Sequence, residues 1–146
     1  MKTQITCNFA DQANSSNEDS LFGPIIYSYS RAQAIADGVL VDVSVMAREA
    51  GFTVPVAMTS AAWADCVEWG DMDSHRQTHQ DEAGRLWDVL LMSCLAVRRA
   101  QGDTVAVQFY RVPRGGKSRM PRKTTLHIHI GPGDAAEPVI TLMLQG

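Results

Sequence analysis

Residues 80–101, QDEAGRLWDVLLMSCLAVRRAQ, decide the reading of the fold. Trp87, Leu90, Leu91, Cys94 and Val97 recur at three- and four-residue spacing, which gathers them on one side of a 3.6-residue helix. The spacing predicts a long helix with that side buried. Downstream the period changes. Residues 104–110, 125–130 and 139–144 are runs of β-branched and apolar residues that read as three strands, and Gly115-Gly116 and Gly131-Pro132-Gly133-Asp134 supply the turns between them. Strands joined by short turns assemble as an antiparallel meander, and an amphipathic helix of this length covers one face of it.

Upstream the chain predicts shorter units with tight stops. After Gly23-Pro24, Ile25-Ile26-Tyr27 is a short β-prone run. Ser30 and Gln33 have capping-box spacing for a short helix that Gly38 closes, and Val39 to Val43 reads as a strand. Ser44 is placed to cap a second helix through Ala50, stopped by Gly51. Val54 to Met58 contains Pro55, which assigns it to an edge or an irregular strand. Thr59 or Ser60 caps a third helix through Trp69, ended by Gly70, and residues 71–78 read as a polar connection. The fold class is therefore α+β: a C-terminal antiparallel sheet packed by one long helix, with shorter N-terminal strand and helix units. Residues 1–22 are polar and read as a mobile tail, leaving 23–146 as a single α+β domain.

Hydrophobic content of 45% and charged content of 20% are those of a globular chain, which excludes a disordered or fibrous class. The apolar runs are short and the first 23 residues lack a basic and apolar leader, so neither a membrane span nor secretion is expected. Cys7, Cys66 and Cys94 are odd in number with no close pair, which fits buried thiols in a reducing, cytoplasmic setting.

The net charge of −3 conceals a division. Residues 1–97 carry 5 basic and 13 acidic side chains, whereas residues 98–146 carry 8 basic and 3 acidic. Six of those eight cations crowd the connection between the first two C-terminal strands: Arg111, Arg114, Lys117, Arg119, Arg122 and Lys123. An arm of this kind attracts phosphates or a carboxylate-rich protein surface, and arginine adds bidentate contacts. The alternative is a solvated turn, or pairing with the acidic half of the same molecule. The nearest aromatics, Phe109 and Tyr110, precede the arm on a strand, so no stacking series is interleaved with the cations. The acidic half, with Glu18, Asp19, Asp65, Glu68, Asp71, Asp73, Asp81, Glu82 and Asp88, admits a phosphate-like surface, but carboxylates near helix starts are also placed by the helix dipole.

Histidines fall in two pairs, His75 with His79 and His127 with His129. Both spacings suit an imidazole-preferring metal such as zinc, yet no Glu adjoins His75 as a metalloprotease helix requires, and surface or sheet-face histidines are the ordinary alternative. No nucleophile elbow or phosphate-binding glycine loop is present. No cofactor is expected.

Two tracts, residues 31–44 (RAQAIADGVLVDVS) and 130–143 (IGPGDAAEPVITLM), resemble a family of small uncharacterised bacterial proteins, a domain of unknown function carried on plasmids and integrative mobile elements. The resemblance runs from about Tyr27 to the end. It implies a genomic context rather than an activity: small cargo proteins of such elements often act against host defence, as inhibitors of restriction enzymes or CRISPR effectors. The expectation is accordingly a non-enzymatic, cytoplasmic binding protein whose partner is a host defence protein or nucleoprotein complex, with the arm as contact. A nucleic-acid-binding accessory protein and a small metal-dependent enzyme are the alternatives.

Overall fold

A computed structural model of the chain describes residues 29–144. The polar tail at 1–22 and the β-prone run Ile25–Tyr27 lie outside the described residues. The elements are α1 Arg31–Ala36, β1 Leu40–Asp42, α2 Ser44–Ala50, β2 Val56–Thr59, α3 Ser60–Cys66, α4 Asp71–Arg76, α5 Glu82–Arg98, β3 Thr104–Arg111, β4 Arg122–Pro132 and β5 Pro138–Leu144.

The punctuation read from sequence governs the N-terminal units. Ser30 Oγ accepts from the Gln33 amide at 3.0 Å and opens α1, while Gly38 turns the chain at φ +80°. Gly51 ends α2 at φ +119°, a conformation that a side chain at this position would resist, with Cys94 Sγ already 3.2 Å from where a Cβ would stand. Ser44 is the first residue of α2 rather than its cap. Its hydroxyl instead donates to Asp42 Oδ1 at 2.6 Å and accepts from the Val56 amide at 3.0 Å, tying β1, α2 and β2 together.

The sheet corrects the expected architecture. It has five strands in the order β1-β2-β5-β4-β3 and is mixed. β3, β4 and β5 are successive antiparallel neighbours, but β2 lies parallel to β5, and β1 pairs antiparallel to β2 at the far edge. The segment with Pro55 is thus a central strand and not an edge. The proline stands one residue before β2, where its carbonyl accepts from Ile140 N at 2.9 Å and no proline N–H is required.

The long helix is present, capped by Asp81, whose Oδ1 accepts from Gly84 N at 2.7 Å. Its buried side overlaps the one expected at Leu90, Cys94 and the half-buried Val97 but is rotated away from Trp87 and Leu91. Arg85, Leu86, Val89, Leu90, Ser93 and Cys94 face the core, whereas Trp87 and Leu91 are 37% and 39% exposed. The core lies between this side of α5, helices α2 and α3, and the inner face of the sheet, where Met58, Leu126, Ile128 and Leu142 are fully buried. Burying an aliphatic side chain of that size contributes about 1.5–3 kcal/mol.

On the opposite sheet face, Arg31 of α1 donates from Nη1 to Thr141 Oγ1 and from Nη2 to the Ile140 carbonyl, both at 2.8 Å. Asp134 in the β4–β5 turn accepts from the amides of Arg31 and Ala32 at 2.7 and 3.0 Å. Two tracts separated by a hundred residues of sequence are therefore one structural unit. No helix of the described residues is long and apolar enough to cross a membrane.

Candidate functional site at the β3–β4 connection

The connection from Val112 to Pro121 is the longest helix-free connection between described strands, and it does not stand away from the body. Gln77, which follows α4 and is almost wholly buried, grips it by three hydrogen bonds. The Gln77 amide nitrogen donates to the carbonyls of Pro113 and Ser118 at 2.7 and 2.8 Å, and its carbonyl accepts from the Gly115 amide at 3.1 Å. Gly115 takes φ +92°, which glycine adopts without a steric penalty. Ser118 Oγ donates to the Met120 carbonyl at 3.1 Å and closes a small turn inside the loop.

Two of the six arm cations face inward. Arg111 forks onto Asp65 at the end of α3, with Nη2 at 3.1 and 3.0 Å from Oδ1 and Oδ2 and Nε at 3.3 Å from Oδ2. It also donates to the carbonyl of Arg122 across the strand pair at 3.3 Å. Arg114 bridges Asp73 Oδ2 from Nε and Glu68 Oε2 from Nη1, both at 2.8 Å. Asp73 is 2% exposed and also accepts from the Gly70 amide at 2.8 Å and from Arg76 at 3.3 Å. The Arg114 hydrogen bond, followed by the Gly70 amide, holds the Asp73 carboxyl below the usual carboxylate range, and the same contact raises Arg114.

The other four cations face outward. Lys117, Arg119, Arg122 and Lys123 are exposed and make no ion pair among the described residues. The acidic half of the chain thus neutralises Arg111 and Arg114 and leaves positive the two loop cations Lys117 and Arg119 and the two at the start of β4, Arg122 and Lys123. Lys123 lies directly across from Tyr110, which is 68% exposed, so an aromatic ring stands beside the cations although none is interleaved with them in sequence.

Sequence reasoning missed α4 and Arg85. Residues 71–76 were read as a polar connection, but the Gly70 amide donating to Asp73 organises the first turn of a helix there. Arg85 occupies a core position of α5 at 6% exposure. Its Nε donates to the Val67 carbonyl at 3.0 Å, its Nη1 to the carbonyls of Val112 and the Gln80 side chain at 2.9 Å, and its guanidinium lies 4.5 Å over the Trp69 ring. Burial lowers its pKa. This one side chain ties α3, the entry to α5 and the first residue of the loop together. The only hint in sequence was a cation in phase with Val89 and Ser93 on the helix.

A cleft of about 480 Å³ opens at the root of the arm, lined among others by Cys66, His79, Arg85, Trp87, Tyr110 and Arg111. Burial, reinforced by the adjacent Asp65 carboxylate, pushes the Cys66 thiol up to about 12, which disfavours its nucleophilic thiolate form. His75 Nδ1 lies 2.9 Å from the carbonyl of Asp71, one turn back in α4, while His79 lines the cleft. His127 and His129 share the outer face of β4, opposite Ala106 and Thr104 of β3, and no partner reaches the buried Nε2 of His127. Among the described residues, no group of three or more His, Cys, Asp or Glu is close enough to hold a metal ion.

Comparison with known proteins places residues 20–146 within a family model described as a family of unknown function, DUF6573, and the chain belongs to that family. No curated protein and no solved structure matches the chain.

Proposed function

We propose that this chain is a non-enzymatic binding protein that engages a nucleoprotein complex through the unpaired cations of its arm, with Lys117, Arg119, Arg122 and Lys123 contacting phosphates. The observation that supports it is the split within the arm. Arg111, Arg114, Gln77 and Arg85 fix the loop by internal bonds, while Lys117 and Arg119 in the loop and Arg122 and Lys123 at the start of β4 stay exposed, with no ion pair among the described residues. A charged loop already held in one conformation loses little conformational freedom on binding, so more of each phosphate contact appears as affinity. Arg111 and Arg114 act as anchors in this reading and not as contacts. The resemblance to mobile-element proteins suggests the class of target, a host defence complex such as a CRISPR effector or a restriction enzyme, on which occupancy of the nucleic-acid path inhibits. Bacterial mobile-element origin belongs to the same proposal.

Purified protein applied to immobilised duplex and single-stranded DNA at low salt, beside a variant with Lys117, Arg119, Arg122 and Lys123 changed to Ala, tests the reading. Salt-sensitive retention of the parent that the variant lacks is expected. Equal behaviour of the two proteins contradicts it.

A further inference from the structure

From the exposed side of α5 and the free edge of β3 we infer that the protein forms a two-fold symmetric homodimer by antiparallel pairing of β3 with β3 of a second copy. β3 ends the strand order, and among the described residues no strand pairs with its outer edge. It is eight residues long, in unbroken register with β4 throughout, and carries no proline or bulge. Proteins ordinarily blunt such an edge or use it.

The neighbouring helix is dressed for the second outcome. Trp87, Leu91 and Leu95 form a stripe at four-residue spacing on α5, Met92 lies beside them, and all four are 37–40% exposed. α5 runs antiparallel to β3. Trp87 and Asp88 share one cleft with Tyr110 and Arg111, while Met92, Leu95 and Arg99 share a second, of about 450 Å³, with residues 105–108. Two open clefts therefore follow one seam along this edge.

The seam suits a second copy in its apolar character and its charge. An axis through the middle of the stripe passes near Leu91 and, on β3, near Gln108. Rotation about it sets Trp87 against Leu95 of the second copy. It also brings Arg99, which lines the second cleft, toward Asp81 of the second copy, which lines the first. On the strand it pairs Val107 with Phe109 and Ala106 with Tyr110. The two cationic arms leave from opposite ends, so the like charges stay apart. The result is a continuous sheet of ten strands with two α5 helices side by side on one face. This inference is independent of the arm's role.

The closing experiment has two arms. Sedimentation and light scattering of the parent protein are expected to give twice the 16.0 kDa chain mass, falling to the single-chain mass in Leu91→Arg, whose circular dichroism stays that of the parent. In a Cys7→Ser background, Gln108→Cys is expected to cross-link on mild oxidation. A residue on the axis of an antiparallel pair faces its own copy at about 4.5–5.5 Å, inside disulfide reach. A folded protein that stays monomeric up to millimolar concentration overturns the inference. So does a dimer that neither cross-links through Gln108→Cys nor responds to Leu91→Arg, since its interface lies elsewhere.

Discussion

Replacing Gln77 by Ala removes the three hydrogen bonds that hold the β3–β4 loop while leaving its charges intact. A typical intramolecular hydrogen bond contributes about 0.5–1.5 kcal/mol net, and the freed loop groups lie near exposed residues where water reaches them. The expected cost is therefore near the lower end for three bonds, about 2 kcal/mol. For a chain of this length that lowers the midpoint of thermal unfolding by about 4–8 °C. The same loss weights local opening of the loop. A shift of about 2 kcal/mol raises the open population roughly 30-fold, and trypsin, which cuts after Arg114, Lys117 and Arg119, reads that population when opening is fast relative to cleavage. Scanning calorimetry and timed trypsinolysis followed by mass spectrometry measure both quantities. An unchanged midpoint, together with cleavage in the loop within about twofold of the parent rate, refutes the claim that Gln77 fixes the arm.

Asp73 makes a pH prediction with a definite sign. Its folded-state pKa is depressed, so its contribution is present above the ordinary carboxylate value of 3.8 and is lost as pH falls below that toward the folded value. Thermal unfolding followed from pH 7 downward should show a step below about pH 4 that Asp73→Asn lacks; an identical profile in the variant contradicts it. Arg85→Leu leaves the Val67 and Val112 carbonyls without a donor and is expected to cost about 2–4 kcal/mol in denaturant unfolding, against a change below about 0.5 kcal/mol if the arginine is dispensable. Cys66, with its thiol pushed up to about 12, should resist iodoacetamide at pH 8 until the protein is unfolded, and rapid labelling of the native chain at this residue would show the thiol to be accessible and ionised.

The parts of this fold legible from sequence were those set by local chemistry. Ser30, Gly38 and Gly51 mark their helix boundaries because a hydroxyl cap and a left-handed glycine act within a few residues of themselves. The strands β3, β4 and β5 were read from β-branched runs, with ends one to three residues short. What failed depended on distant partners. β2 became central because it pairs parallel with β5, more than eighty residues away, and nothing within Val54–Met58 carries that information. α4 has no apolar period, and its first turn is organised by Asp73 and by an arginine from the loop it supports.

The buried side of α5 is only partly legible for a similar reason: Leu90, Cys94 and Val97 face the core as expected, and Trp87 and Leu91 do not. Leu90, Cys94 and Val97 belong to either side of a helix so rich in apolar residues, and polar Arg85 and Ser93 occupy core positions that a hydrophobic pattern assigns to solvent. The arm was legible as charge but not as a site. Which cations are neutralised at its root was settled only by the placement of Asp65, Glu68 and Asp73 beside them.

The salt dependence of DNA retention tests the central claim most directly. If four arm cations each displace a counterion from duplex phosphates, the logarithm of affinity falls against the logarithm of salt with a slope of about −3.6, a loss of roughly 100-fold between about 50 and 200 mM. Replacing Lys117, Arg119, Arg122 and Lys123 by Ala should reduce that slope to near zero, while Arg48→Ala, an exposed cation on α2 outside the arm, keeps it. A slope near zero in the parent protein, or one that survives the fourfold replacement, contradicts the account.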